Sequence, residues 1–93
     1  MVKLSTGGKD FYVEFEYDFP NGVTNARLLR KTDGVEGSYE LVAAGVAMLG
    51  HGDAWNKFVG RKYALARAFS AAGFTREERS DLWNQFFNEC RMS

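Results

Sequence analysis

One cysteine, one histidine and one proline stand in this 93-residue chain, and neither sign of charge prevails, twelve Lys and Arg balancing twelve Asp and Glu. The lone Cys90 has no partner for an internal disulfide, which excludes a disulfide scaffold and a paired-cysteine redox motif and fits a reducing, cytosolic setting. His51 and Cys90 with an acid fall into no ligand spacing such as paired cysteines or H-E-x-x-H, so no metal site and no cofactor is expected. Zero net charge removes the global field that draws basic proteins to nucleic acid or anionic lipid, leaving only local attraction. No run of about 18 apolar residues occurs, and MVKLSTGGKD has no apolar stretch after its lysine. Neither a membrane span nor an export signal is expected.

What the chain does have is core-forming material. Hydrophobic residues make up 45%, aromatic residues 15% and charged residues 26%, the balance of a globular chain rather than a disordered one. Its length suits a single domain, 1–93, that buries roughly 60–65% of its unfolded surface.

Apolar and polar residues alternate from Asp10 to Phe19, with Phe11, Val13, Phe15, Tyr17 and Phe19 on one side. Period two over that length predicts a strand. Pro20-Asn21-Gly22 supplies turn chemistry, and Thr24 to Lys31 predicts a second strand paired back on the first. After a turn at Asp33 to Gly37, Tyr39 to Met48 reads as a third strand. Its thin centre, Ala43-Ala44-Gly45, predicts a bulge or the close approach of a packed element. Residues 1–9 read as loose or as an extension of the first strand, so the antiparallel sheet is placed in 10–48.

Asp53 is placed to cap a helix running to Ala72 and ending at Gly73. At 100° per residue, Trp55, Phe58, Val59, Leu65, Ala66 and Phe69 gather as its core stripe. Thr75 and Glu78 form a capping box for a second helix, about Arg76 to Cys90, with Leu82, Trp83, Phe86, Phe87 and Cys90 on its apolar side. The short link at 73–75 makes 53–91 a helical hairpin. The expected fold is α+β, a three-stranded antiparallel sheet followed by two helices packed on one face.

Cations interrupt the first helix. Lys62 falls near the middle of the predicted apolar stripe, Arg61 at its edge and Arg67 well away from it, so Lys62 must reach water, a carboxylate or an anionic partner. Gly60, Ala64, Ala68 and Ala71 make a smooth opposite side able to lie against another backbone. A helix apolar or small nearly all round is buried on both sides, by a sheet and the second helix or, in the competing explanation, by a homodimer.

Signals for chemistry are sparse. His51 and Asp53 share a glycine-flanked loop, yet no Ser or Cys nucleophile lies near them in sequence, and loop punctuation with a helix cap accounts for both. Glu14 and Glu16 on one strand face read as a solvated face rather than an acid/base pair. Gly7-Gly8-Lys9-Asp10 lacks the G-x-x-x-x-G-K-[ST] pattern of a phosphate loop. No catalytic residue is assigned. Arg27, Arg30 and Lys31 on the hairpin with Lys57, Arg61 and Arg67 on the helix, and Tyr12, Tyr39 or Tyr63 for stacking, define a candidate basic face for nucleic acid or a small phosphorylated ligand.

Residues about 40 to 87, and above all Gly60-Arg61-Lys62, Ala64-Leu65 and Arg67-Ala68 followed by R-E-x-R and Trp83 (GRKYALARA and REERSDLW in this chain), resemble short uncharacterised proteins of tailed bacteriophages. Those combine a strand hairpin, a GRKxALxRA helix and a RExRxxxW helix. The resemblance implies a small phage accessory protein in the cytoplasm of the bacterial host, working by binding rather than catalysis. The expected function is therefore non-enzymatic engagement of a host or bacterial-defence protein, through Arg61, Lys62, Arg67, Arg27, Arg30, Tyr12 and Tyr39, residue types that dominate interfaces. The alternative is an anion-binding protein for nucleic acid or a small phosphorylated or cyclic nucleotide. A homo-oligomer is a further expected partner state, and no membrane association is expected.

Overall fold

Gly7 and Gly8 adopt φ of +59° and +76°, a pair of left-handed residues that reverses the chain in two steps with the twist a hairpin needs. The reversal makes a separate strand of the segment expected to be loose or to extend the first strand. β1 (Val2–Thr6) pairs antiparallel with β2 (Lys9–Asp18), β2 with β3 (Val23–Lys31), and β3 with β4 (Tyr39–Met48), giving a four-stranded sheet in the order β1-β2-β3-β4. α1 (Lys57–Ala72) and α2 (Arg76–Met92) follow. This computed structural model describes residues 1–18, 20–32, 34, 37–48 and 57–92. The expected positions of Phe19, His51, Asp53 and Trp55 lie outside them.

The α+β architecture is as expected, with four strands in place of three. The extra strand is carried by alternation too short to read alone: Leu4 and Thr6 are buried while Lys3 is exposed. Leu4 joins Phe11, Val13 and Leu28 of the sheet with Leu65, Phe69, Leu82 and Phe86 of the helices in one core. Both helices therefore cover the same face, called inner here. The outer face carries the other half of each alternation, including Tyr12, Glu14, Arg27 and Leu29.

α1 is turned relative to the expected stripe. Gly60, Ala64, Leu65, Ala68 and Phe69 are buried, whereas Phe58, Lys62 and Ala66 are exposed. The cause is the thin centre of β4. A Cβ built on Gly45 would land on the carbonyl oxygen of Ala64 and lie 2.6 Å from the amide nitrogen of Ala68, so helix and strand backbones touch and the small side of α1 becomes a packing face. Lys62 needs no special account, since it points to water rather than into the stripe. The second side of α1 meets α2 through Phe69 and Trp83, ring centroids 5.1 Å apart and edge to face, a geometry aromatic pairs favour.

The stop at Gly73 and the capping box at Thr75 and Glu78 act as read. Gly73, at φ +76°, donates its N–H to the Ser70 carbonyl at 3.2 Å. Thr75 N–H donates to Glu78 Oε1 at 2.8 Å, and Glu78 N–H to Thr75 Oγ1 at 3.2 Å, a reciprocal capping box. The Glu78 carboxyl is held below its usual range, first by the Thr75 backbone N–H that donates to it and second by the Thr75 hydroxyl beside it. Opposite Leu28 and Leu29 the register slips so that Val42 has no partner, a β-bulge.

Candidate functional site

Strand pairing dictates which main-chain groups of β4 are left open. Thr32 N–H donates to the Ser38 carbonyl at 3.0 Å, which turns the main chain of even-numbered residues of β3 toward β4 and that of odd-numbered residues toward β2. Ala44, Val46 and Met48 lie opposite Arg27, Asn25 and Val23, so their N–H and C=O groups point away from the sheet, along its free edge. Arg67 reaches this edge: its Nη1 donates to the Val46 carbonyl at 2.5 Å. Tyr63, one turn earlier and 57% exposed, occupies the same flank of α1.

The opposite edge is closed differently. Ser5, on β1, donates its N–H to Gln85 Oε1 at 2.8 Å and accepts from Gln85 Nε2 at 2.5 Å through its carbonyl. A side-chain amide thus imitates a neighbouring strand at that position, and β1 is only five residues long. Short length and a covered main chain are the usual means of blunting an edge. β4 has ten residues and from Leu41 to Met48 neither charge nor proline; among the described residues its edge is blunted by the bulge at Val42 and the Arg67 contact alone.

The outer face beside that edge is apolar. Leu41 is 59%, Val46 44% and Met48 71% exposed. Tyr39 stands edge to face with Tyr12, centroids 5.3 Å apart, and the Lys31 ammonium lies 5.7 Å from the Tyr12 ring centroid. Leu29, opposite both Tyr12 and Leu41, fills the space between.

The cations sort into pairs. Arg27 lies 3.4 Å from Glu14 and 2.6 Å from Glu16, which gives the two strand carboxylates a structural role. Arg30 pairs with Glu40. At the sheet's end a cleft of about 820 Å³ gathers Lys3, Lys9, Arg30 and Lys31, with Asp10, Glu40 and Glu78 on its walls. Lys3 is 3.7 Å from Asp10, whose exposed carboxyl is held below its usual range by the Ser5 hydroxyl first and Lys3 second. Positive charge in the cleft is thus largely answered from within.

Of the sequence-predicted site residues, Tyr12, Tyr39 and Arg30 come together near this end of the sheet. Arg27 stands further along the outer face with its two glutamates. Arg61, Lys62 and Arg67 ride on α1, on the other side of the sheet, so helix and hairpin cations do not form one basic surface. Arg61 lies with its guanidinium carbon 5.6 Å from the Phe15 ring centroid, its stem covering core as Arg stems do. Sequence reasoning placed Leu41, Val46 and Met48 in the third strand without marking them as a surface, and passed over Gln85 altogether. A hairpin turn at Gly7-Gly8 was the available sign that the sheet extends on the β1 side and leaves β4 as the far edge.

Among the described residues no group of three or more His, Cys, Asp and Glu is placed to hold a metal ion, and no helix is long and apolar enough to cross a membrane. No family model, no curated protein and no solved structure matches the chain.

Proposed function

We propose that the chain is a non-enzymatic binding protein that docks a partner protein on the outer face of its sheet, at the patch of Tyr12, Leu29, Tyr39 and Leu41. The observation that carries this reading is the exposure of large apolar side chains beside a tyrosine pair, on the face the helices leave open. Exposed apolar clusters rimmed by charge mark interaction surfaces, and tyrosine with a flanking arginine is the composition of an interface anchor. Lys31 and the Arg30–Glu40 pair supply that rim. The resemblance to short phage proteins supports, as that partner, a host or bacterial-defence protein in the infected cell's cytoplasm.

The test is retention of a protein from bacterial lysate on the immobilised chain. One protein held in stoichiometric amount through nuclease treatment, and lost with Leu41→Asp, supports the reading; retention unchanged by that variant removes it. A second reading, binding of a nucleotide or nucleic acid at the cleft of Lys3, Lys9, Arg30 and Lys31, draws on the convergence of four cations there. It requires thermal stability to rise with added nucleotide and affinity to fall steeply with salt.

A further inference from the structure

We infer that β4 pairs with β4 of a second copy of this chain, antiparallel about a two-fold axis, joining two four-stranded sheets into one of eight. Three features of the edge favour a second copy as its occupant. The segment 43–48 beyond the bulge turns alternate main-chain groups outward. A register setting Ala44 against Val46 of the second copy matches donors to acceptors on both sides of the axis, as an isologous contact demands. No charged side chain lies between residues 41 and 48, so two copies of the strand meet without the like-charge opposition that destabilises cross-strand pairs. And the chain as a whole carries no net charge, so no long-range repulsion keeps copies apart.

The flank of α1 adds to the contact. Because α1 rests on β4 at Gly45, the pairing brings the two α1 helices alongside each other above the seam, where Tyr63 is 57% exposed. Arg67 acts as the edge's guard: in the single chain it satisfies the Val46 carbonyl, and in the pair a strand N–H takes its place. β1 is the lesser edge, five residues long with both main-chain groups of Ser5 satisfied by Gln85. The inference is independent of the partner-binding reading, which uses outer side chains at Tyr39 and Leu41, outside the paired segment.

Sedimentation of the full chain from about 5 to about 500 µM tests it, since self-association depends on concentration. The mass is expected to rise from 10.5 kDa to that of a dimer. Ala44→Lys with Val46→Lys sets new ammonium groups opposite each other across the seam and is expected to weaken association at least about a hundredfold. Val46→Pro, which removes an edge-facing donor and none of the β3 pairing, weakens it independently. Arg67→Ala removes the competing donor from both copies and tightens the dimer about tenfold to a hundredfold, the worth of roughly two net hydrogen bonds. A monomer throughout the range for both the parent chain and Arg67→Ala overturns the inference, as does a dimer indifferent to the lysine pair and to Val46→Pro. Leu41→Asp, by contrast, is expected to leave self-association unchanged while abolishing partner retention, so the two readings fail separately.

Discussion

Replacing Gly45 with alanine adds one methyl group at the point where α1 and β4 touch, and the structure sets what that methyl meets. Its nearest neighbours are the Ala64 carbonyl oxygen, the Ala68 amide nitrogen at 2.6 Å and the Arg67 Cβ at 2.9 Å. Two of the three are helix backbone, which cannot swing aside as a side chain can, so the helix must lift from the strand by on the order of 1 Å, forfeiting much of the local dispersion contact. Overpacking a close contact costs about 1–3 kcal/mol, and the backbone obstruction puts Gly45→Ala at the upper end of that range. The lower chain entropy of alanine offsets roughly 0.5 kcal/mol of this. A net loss of about 2–3 kcal/mol is a large share of the roughly 5–12 kcal/mol expected for a domain of this length. It lowers the melting temperature by about 10–20 °C. Gly60→Ala is the internal control. There a Cβ meets only the Thr24 side chain, its hydroxyl oxygen at 2.5 Å and its Cβ at 3.3 Å, so no backbone stands in the way, a shift of a few tenths of an ångström with a turn of the hydroxyl relieves the clash, and the helical gain of roughly 0.5–1 kcal/mol opposes the cost. Urea denaturation of both variants decides. If Gly45→Ala stays within about 0.5 kcal/mol of the parent, the backbone-contact account of α1 is wrong.

Gln85→Ala leaves the Ser5 N–H and C=O without their side-chain partner and is expected to cost about 1–2 kcal/mol. Amide exchange at Ser5 should quicken more than at Leu4, whose main chain is bonded within the sheet. Thr75→Ala removes the capping hydroxyl from α2 and is expected to cost about 1 kcal/mol by thermal denaturation, with Thr75→Ser restoring it. The carboxyls of Asp10 and Glu78 are both held below their ordinary values of 3.8 and 4.5. A depressed folded pKa means stability that is fully present above the ordinary value and lost as pH falls through the folded one. A decline should therefore begin as pH drops below about 4.5. Carbon-detected titration should place both groups low, and Ser5→Ala should raise Asp10 more than Lys3→Ala does.

The long strands were legible because one face of each is buried and the other wet, which stamps period two on the sequence from Phe11 to Tyr17. β4 was legible in extent, Tyr39 to Met48, for a different reason: turn chemistry at one end and small residues in the middle. Its exposure was not legible, because valine, leucine and methionine carry the same signature whether a strand is covered or bare. The capping box and the Gly73 stop are local devices, and local devices survive in sequence. The face of α1 was misread at Lys62 and Phe58 because a helical wheel weighs side chains by size, whereas this helix packs by the absence of size, with Ala64 and Ala68 against Gly45 and Gly60 against Thr24. Nor could a wheel find Gln85, which acts through a main-chain contact 80 positions away. The candidate site was legible only as residue types: Tyr12 and Tyr39 do meet, while the helix cations lie across the sheet from them.

Packing and surface are tied together at Gly45. The glycine lets α1 settle directly on β4, and only at that depth does the Arg67 side chain, one residue from Ala68 at the contact, reach the Val46 carbonyl on the far edge. A methyl at position 45 therefore acts twice, loosening the helix and drawing the guard off the edge. These two effects have opposite consequences for assembly: a less stable fold, but a barer edge. In dilute solution Gly45→Ala is expected to melt early as a monomer. At high concentration it is expected to associate more readily than the parent, since an edge strand freed of the Arg67 donor pairs with whatever uncharged strand it meets, and the nearest such strand is its own copy.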